Sequence, residues 1–190
     1  LRDTFLTTVS ILKFCKKFEL RTLYFASSSA VYGDVHIPNG GFIESGPTQP
    51  ISNYGAMKLA SEAILRSASQ DFMKKFLIFR FPNVIGFPAT HGVITDFLRK
   101  LGNSPNELIV LGNGTQNKPY LHVSDLISAM LHVGKTCKFA TNLEVFNLAS
   151  PHENVFVSQI AEEVCRVVSP NAKITYGKNA YGWVGDMPQV

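Results

Sequence analysis

Apolar residues along the chain follow two alternating spacings, which predict helices and strands in turn. Residues 4–18 carry apolar side chains at helical spacing, and residues 22–26 are a short run of strand-forming residues. A segment rich in Gly, Pro, Asn and Ser covers residues 32–50, and a second helical stretch at 51–75 leads into an apolar strand at 76–81. Helix and strand units that alternate in this way are typical of a mostly parallel α/β sheet.

The second half of the chain has shorter and less regular units, which predict a smaller α+β part. The pattern there predicts helices at residues 93–101, 124–133 and 157–168, and strands at residues 108–111, around 120, at 145–148 and at 172–176. Asn113, Gly114 and Thr115 form a turn signal, and we expect a hairpin between the strands that flank it. The fold class predicted from the pattern is therefore α/β with an α+β appendage.

The composition is that of an ordinary globular protein. Hydrophobic residues make up 45% and charged residues 17% of the 190 residues, so one domain with a sizeable core is expected. Apolar runs such as residues 76–81 are far shorter than the roughly 20 residues of a membrane-spanning helix, so no membrane association is expected. The chain opens with Leu1, without a basic lead or a cleavage pattern, and we expect no signal peptide and a missing N-terminal part.

Charge and cysteine content narrow the classes of ligand. The formal net charge of +4 comes from 18 basic and 14 acidic residues spread along the chain, which suits an anionic ligand but gives no nucleic-acid footprint. Cys15, Cys137 and Cys165 are scattered and form no C-x-x-C pair, which argues against a disulfide framework and a zinc site. We therefore expect no nucleic-acid partner, no metal and a cytoplasmic protein.

Tyr54 and Lys58 are candidates for acid–base chemistry. They lie four residues apart in the predicted helix at 51–75, and hence on the same face of it. A neighbouring ammonium favours the phenolate, so we expect Lys58 to lower the pKa of Tyr54 from the ~10 of a free phenol toward neutrality. The alternative is a purely structural role, with a packed tyrosine beside a solvated lysine, since such pairs occur by chance in many helices.

A run of hydroxyl groups precedes this pair in the sequence. Ser27, Ser28 and Ser29 follow the predicted strand at 22–26, and open α/β sheets bind their ligands at the carboxyl ends of such strands. The alternative is a serine-rich turn without a ligand.

These motifs together resemble the extended short-chain dehydrogenase/reductases. Residues 26–33 (A-S-S-S-A-V-Y-G) resemble that family's S-S-x-x-V-Y-G, and residues 50–58 (P-I-S-N-Y-G-A-M-K) its P-x-x-x-Y-x-x-x-K. Three further blocks follow in the family's order: R-F-P-N-V-I-G at residues 80–86, G-N-G-T-Q with Y-L-H-V-S-D at residues 112–125, and F-N-L at 146–148 with Gly185 and Asp186 near the end. The chain is identified as a member of the NAD-dependent epimerase/dehydratase branch, similar to UDP-glucose 4-epimerases and lacking its N-terminal part.

The resemblance implies a fold and two domains. Residues 1–90 would be the C-terminal part of a Rossmann-type parallel sheet that binds NAD, with NADP as the alternative cofactor. Residues 91–190 would be mainly a small α+β substrate-binding subdomain, with residues of about 120–150 returning to the Rossmann sheet. The full-length protein is expected to form a homodimer through the helices at 4–18 and 51–75.

The resemblance also implies roles for individual residues. The catalytic group would be Ser28, Tyr54 and Lys58, in which Tyr54 removes the proton of the sugar C4 hydroxyl, Ser28 hydrogen-bonds that oxygen and Lys58 holds the ribose. The implied cofactor-binding residues are Ser27, Tyr54, Lys58, Phe81, Pro82 and Val84. The implied substrate-binding residues are Ser28, Ser29, Tyr32, Asn83, Asp96, Lys118, Tyr120 and Asp186.

Some of these residues have alternative interpretations. Asn83 is also a common turn residue, and Asp96 and Asp186 can equally be surface acids or helix caps. Lys118 stands where the family has Arg, so the charge is kept while the bidentate fork is lost. We expect His122 to be a packed, hydrogen-bonded histidine and not a metal ligand.

The same comparison favours one reaction. The family's dehydratases and decarboxylase have an acidic residue after the catalytic Ser or Thr, where this chain has Ser29 and Ala30. We therefore expect C4 epimerisation of a nucleotide sugar, a UDP-hexose, by transient hydride transfer. An NAD(P)H-dependent reductase or dehydratase of the same family, or a non-catalytic binding relative, remains the alternative. The family's glycine-rich cofactor loop is absent, so we expect the chain as given to bind NAD poorly and to be inactive.

Overall fold

The computed structural model describes residues 2–33, 41–72, 74–150, 154–180 and 182. The helices are α1 (Arg2–Lys17), α2 (Asn53–Asp71), α3 (Val93–Asn103), α4 (Val123–Thr136) and α5 (Val157–Val168). The strands are β1 (Thr22–Ala26), β2 (Lys75–Arg80), β3 (Asn83–Ile85), β4 (Glu107–Val110), β5 (Asn117–Lys118), β6 (Tyr120–His122), β7 (Leu143–Asn147), β8 (Val155–Phe156) and β9 (Lys173–Tyr176). Among these described strands, every pairing is parallel except that of β5 with β8. The predicted α/β class is confirmed.

The chain divides into two units. The first comprises Leu1–Pro82 and Asp125–Leu148, and the second comprises Asn83–Ser124 and Ala149–Val190. The boundary predicted from the sequence lies at residue 90, and the predicted returning segment spans residues of about 120–150. The assignment of cofactor and substrate binding to separate domains stays a prediction.

The first unit is built on a parallel sheet with the strand order β1-β2-β7. The central strand β2 is apolar on both faces, as buried parallel strands are, and Phe76, Leu77, Ile78 and Phe79 are fully buried. Phe76 and Ile78 pack with Leu12 of α1 and Leu65 of α2 in one core cluster. The two helices are therefore fixed on one face of the sheet, and α2 runs past the carboxyl end of β1.

The second unit has its own core between α3, α5 and the β4–β9 pair. Phe97 and Leu101 of α3 are packed with Ile160 and Val164 of α5, in a cluster that also contains Leu108. The apolar positions on both helices recur at the spacing of an amphipathic helix, which is why the sequence predicted them.

The predicted hairpin around Asn113 is wrong. Strand β4 pairs in parallel with β9, and the next strand in the sequence, β5, pairs with β8. The turn itself is present, because the Asn113 side chain accepts a hydrogen bond from the Thr115 amide at 3.1 Å, and Gly112 and Gly114 have positive φ angles. It redirects the chain between two strands that do not pair with each other.

No helix in the described part of the chain combines the length and the apolar character needed to cross a membrane.

Candidate active site

The serine run continues the backbone pairing of β1 beyond its last residue. The Ser27 amide donates to Phe79 O at 2.8 Å, and the Ser29 amide donates to Phe81 O at 3.0 Å. A short 3-10 turn then spans Ser29–Val31, and the Ser28 hydroxyl caps it by accepting a hydrogen bond from the Ala30 amide at 3.2 Å. The main chain that carries Ser28 is thus held against the carboxyl end of β2.

The first turn of α2 faces this segment. Ser52 caps the helix through a 3.1 Å hydrogen bond from the Gly55 amide, so α2 begins two residues later than predicted. A Cβ placed on Gly55 would lie 2.3 Å from Ala30 O. Only a residue without a side chain allows the helix to come this close to the 3-10 turn.

The structure brings Ser28, Tyr54 and Lys58 together. The Lys58 amine lies 5.7 Å from the centroid of the Tyr54 ring and donates a 2.7 Å hydrogen bond to Ala26 O. Ser28 lies close enough to Tyr54 to lower the pKa of its phenol. A hydroxyl, a phenol and an ammonium therefore meet at the carboxyl end of β1, where open α/β sheets place their ligands.

The predicted lowering of the Tyr54 pKa by Lys58 is wrong. Partial burial raises the pKa of Tyr54, which is still 45% exposed, above its ordinary value, and the neighbouring Ser28 hydroxyl opposes this only in part. Burial also lowers the pKa of Lys58, whose amine is engaged with a backbone carbonyl. In the chain alone, desolvation is therefore the largest influence on the pKa of each group.

A buried ion pair lies directly behind the serine run. Arg80 donates to both carboxylate oxygens of Glu62, at 3.0 Å from Nε and 2.6 Å from Nη2. The two residues are only 5% and 4% exposed. Burial alone would lower the pKa of Arg80, but hydrogen bonds and charge, chiefly from Glu62, raise it. This pair was not predicted from the sequence, although Glu62 follows Lys58 by four residues on the same helix face and Arg80 is the one charge at the carboxyl end of an apolar strand.

Two of the residues predicted to contact ligands belong to this buried network. The Ser27 hydroxyl donates to Glu62 Oε1, and Ser27 is 1% exposed. The Tyr32 hydroxyl donates to Asn147 Oδ1 at 2.7 Å and accepts from Arg80 at 2.9 Å, and Tyr32 is also 1% exposed. Both hydroxyls are thus engaged within the protein, and the roles of Ser27 in cofactor binding and of Tyr32 in substrate binding stay predictions.

Other predicted positions in the first unit remain accessible. Ser28, Ser29, Phe81 and Pro82 are all half-buried. Next to Lys58 lies a cavity of about 430 Å³. It is lined by Thr4, Thr7, Thr8, Phe25, Ala26 and Lys58.

In the second unit, the predicted substrate-binding residues fall into two places. Asn83 on β3 is the register partner of Tyr120 on β6, and the Asn83 amide group donates to Pro119 O at 3.4 Å. Val84 is exposed beside Asn83, and Lys118 lies on the short strand β5. These residues come from neighbouring strands.

Asp96 lies on α3, in salt bridges to Arg99 at 2.6 Å and Lys100 at 2.7 Å. Partial burial would raise the pKa of Asp96, but the hydrogen bonds and charges of Lys100 and Arg99 hold it below its ordinary value. This arrangement agrees with the alternative interpretation of Asp96 as a surface acid.

Asp186 and His122 are the remaining positions that the sequence singled out. Asp186 lies outside the described residues. His122 is exposed and not packed as expected, although its Nδ1 shares a 2.7 Å hydrogen bond with the Ser124 hydroxyl. In the described part of the chain, no group of three or more His, Cys, Asp or Glu side chains is placed to hold a metal ion.

Comparison with known proteins identifies the family. The sequence profile described as "NAD dependent epimerase/dehydratase family" matches residues 1–149. The chain belongs to this family. A UDP-glucose 4-epimerase from Azospirillum brasilense is 32% identical over 154 residues, covering 70% of this chain and 43% of that protein. The chain spans 38% to 48% of the length of the first three curated relatives it matches.

Solved structures agree with the family assignment. A crystal structure of a UDP-galactose 4-epimerase has 33% sequence identity and a TM-score of 0.82, covering 97% of this chain and 58% of that chain. MoeE5 in complex with UDP-glucuronic acid and NAD has 25% identity and a TM-score of 0.82, covering 100% of this chain and 61% of that chain. The parallel sheet of this chain is thus of the Rossmann-like type seen in epimerases.

Proposed function

We propose that the whole protein that carries this chain is an NAD-dependent isomerase that inverts C4 of a nucleotide sugar, a UDP-hexose. The observation that supports this most directly is the meeting of Ser28, Tyr54 and Lys58 at the carboxyl end of β1. The 4-epimerase names of the relatives supply the reaction class.

Each of the three side chains has a role in this proposal. Tyr54 takes the proton from the sugar C4 hydroxyl and later returns it, and Ser28 hydrogen-bonds the same sugar oxygen. Lys58 binds the cofactor's ribose and orients it beside Tyr54. NAD, when bound, supplies the hydride acceptor and, in its oxidised form, a positive charge that lowers the pKa of a nearby phenol.

The residues around Lys58 fit a cofactor ribose. The cavity at Lys58 is also lined by Thr4 and Thr7, and hydroxyl and ammonium groups are suitable partners for a ribose diol. We propose that Phe81, Pro82 and Val84 complete the cofactor contacts. Ser27 is left out of this set, because its hydroxyl is committed to Glu62.

The sugar nucleotide would be held by residues of the second unit. We propose that Asn83 and Tyr120, which are register partners, contact it. Lys118 on the adjoining strand would provide positive charge for the phosphates, with less directional hydrogen bonding than an arginine.

The residues after Ser28 favour epimerisation over dehydration. Ser29 and Ala30 form the 3-10 turn, and neither can act as the additional acid or base that elimination of water requires. Epimerisation needs only the proton transfer at C4 and the hydride carrier.

We propose that the chain as given binds NAD poorly and is inactive by itself. Residues 1–190 contain no G-x-G-x-x-G turn, which in dinucleotide-binding folds holds the pyrophosphate at a helix N-terminus. A calorimetric titration of the chain with NAD tests this, and micromolar affinity would contradict it.

We also propose that the whole protein is a cytoplasmic homodimer that uses α1 and α2. Leu6, Ile11 and Phe14 of α1 expose 43%, 42% and 52% of their surface, which leaves apolar area for a second copy. Among the described residues all three cysteines are free, which suits a reducing compartment. Light scattering of the wild type and of Phe14→Glu tests the dimer.

The decisive experiment incubates the whole protein and NAD with UDP-glucose and follows the anomeric proton signals by NMR. A new UDP-hexose with inverted C4 is expected, and Tyr54→Phe should lower the rate on the order of 100-fold to 10,000-fold. A 4-keto-6-deoxy product would instead establish the dehydratase. Full activity of Tyr54→Phe would remove Tyr54 from the mechanism.

A further inference from the structure

Three turns of α2 face three consecutive residues at the end of β1. Lys58 donates to the carbonyl of Ala26, Glu62 accepts from the hydroxyl of Ser27, and Tyr54 lies beside Ser28. Because Tyr54, Lys58 and Glu62 follow each other at four-residue intervals, they project from one face of the helix. Of these three residues, Glu62 is the one that has no role in the proposed chemistry.

Glu62 is itself fixed from the side of β2. Both of its oxygens are bound by the Arg80 guanidinium, a bidentate arrangement that sets the direction of the carboxylate as well as its distance. The remaining Arg80 donor, Nη1, reaches the Tyr32 hydroxyl at 2.9 Å and Glu44 O at 3.1 Å. Tyr32 in turn donates to Asn147 at the end of β7. The carboxyl ends of all three strands of this sheet are therefore joined through one buried polar network.

We propose that Glu62, oriented by Arg80, is a positioning residue that anchors the Ser27 side chain and thereby fixes the Ser28 hydroxyl against Tyr54. This rests on the proposed function insofar as Ser28 and Tyr54 act on the same sugar oxygen. The hydrogen bond from the Ser27 amide to Phe79 O holds the main chain. Within the described part of the chain, the hydrogen bond to Glu62 is the only one that the Ser27 side chain makes. Loss of that anchor frees the next residue, Ser28, to rotate away.

A purely structural role of Glu62 makes a different prediction. If the network only stabilised the fold, removal of the Ser27 hydroxyl would lower the stability of the chain without a local effect at Ser28. If Glu62 positions Ser28, the change is concentrated at the Ser28 hydroxyl and the groups bonded to it. The Ala30 amide reports this directly, because it donates to the Ser28 hydroxyl at 3.2 Å.

The first test is amide hydrogen exchange of the chain at neutral pH, which needs neither NAD nor a substrate. In Ser27→Ala, the protection of the Ala30 amide should fall to the level found in Ser28→Ala. The matched control is Ser69→Ala, which also removes a buried hydroxyl. Ser69 lies on α2, and its hydroxyl donates only within that helix, to Arg66 O at 2.7 Å. Ala30 should keep its wild-type protection in the control. Wild-type protection of Ala30 in Ser27→Ala would overturn the proposal.

If Ser27→Ala does not fold, Ser27→Cys replaces it, because the thiol is a much weaker donor of similar size. Ser27→Thr keeps a hydroxyl and should restore the protection of Ala30. Absence of protection in Ser27→Thr with a folded chain would also count against the proposal, since the hydroxyl would then not be what holds Ser28.

The second test measures turnover of the whole protein. Ser27→Ala should lower kcat on the order of 10-fold to 100-fold, as small misplacements of reacting groups do, with KM for the sugar nucleotide unchanged. Ser69→Ala should retain wild-type kcat. An equal kcat for Ser27→Ala and wild type would overturn the positioning role. A wild-type protein without any epimerase activity would overturn the proposed function, while the exchange experiment would still decide the link from Glu62 to Ser28.

Discussion

The amine of Lys58 donates a 2.7 Å hydrogen bond to the carbonyl oxygen of Ala26, the last residue of β1. The charge that was expected to act on Tyr54 is therefore held by the main chain of the neighbouring strand. The bond also ties α2 to the end of β1, so one contact both places the ammonium in the site and reduces its contact with water. Burial lowers the pKa of Lys58 in consequence.

The lowered pKa of Lys58 predicts a dependence of stability on pH. The folded chain releases this proton at a lower pH than the unfolded chain, whose value is the ordinary 10.5, so between the two pKa values the unfolded state binds more protons. The free energy of unfolding attributable to Lys58 therefore increases as the pH rises through this window. In urea denaturation at a series of pH values rising toward 10.5, wild type should gain stability relative to Lys58→Met. A constant difference would contradict this, and Lys13→Met on the exposed side of α1 controls for the loss of a positive charge.

The raised pKa of Tyr54 predicts that its phenol stays protonated in the chain alone. Its titration, followed by NMR of tyrosine labelled with ¹³C at Cζ and assigned with Tyr54→Phe, should lie above the ordinary value of 10.0. Since the neighbouring Ser28 hydroxyl lowers the pKa, Ser28→Ala should move the titration still higher. A Tyr54 titration below 10.0 would restore the view that Lys58 governs the phenol.

The Glu62–Arg80 pair predicts large and non-additive effects on stability. Glu62→Ala leaves a buried guanidinium without its partner and should cost about 3–5 kcal/mol of unfolding free energy, measured by urea denaturation. The double variant Glu62→Leu with Arg80→Met should cost less than the two single changes combined, because it leaves no unpaired charge. The exposed Lys16–Asp71 pair is a control of nearly equal length, at 2.7 Å, and Asp71→Asn should cost less than about 1 kcal/mol. Equal costs at the two pairs would show that burial of the charges is unimportant here.

The regular elements could be predicted because local pattern decides them. The strand at Thr22–Ala26 and the helix at Val157–Val168 have the predicted bounds. The prediction of a hairpin was wrong because a turn signal specifies a change of chain direction but not the strand with which the next strand pairs. Strand β4 finds its partner β9 far along the chain, and the two-residue strands β5 and β8 are too short to leave a periodic pattern.

The candidate site was predictable where the spacing of residues within one helix was sufficient. Tyr54 and Lys58 had to share a face, and the strand end before Ser28 had to lie near it. Glu62 and Arg80 were missed because their meeting depends on the packing of α2 against β2. The direction of the Tyr54 pKa was missed for a related reason, since the partial desolvation of a phenol is not visible in the sequence.

Gly55 offers a test of how closely α2 must approach the serine run. Replacing a helical glycine by alanine ordinarily stabilises a protein by up to ~1 kcal/mol, because glycine loses more backbone entropy on folding. Gly102 on α3 should follow this rule, since a Cβ there would meet no atom within 4 Å. At Gly55 the same Cβ would lie 2.3 Å from Ala30 O, a backbone atom that cannot move without shifting the 3-10 turn.

We therefore expect Gly102→Ala to raise the Tm of the chain and Gly55→Ala to lower it. Gly55→Ala should also separate Tyr54 from Ser28, because the strain is relieved by moving the start of α2 away from Ala30. The titration of Tyr54 in this variant should then approach that in Ser28→Ala. If Gly55→Ala were as stabilising as Gly102→Ala, with an unchanged Tyr54 titration, the close approach of α2 to residue 30 would not be what holds the phenol and the hydroxyl together.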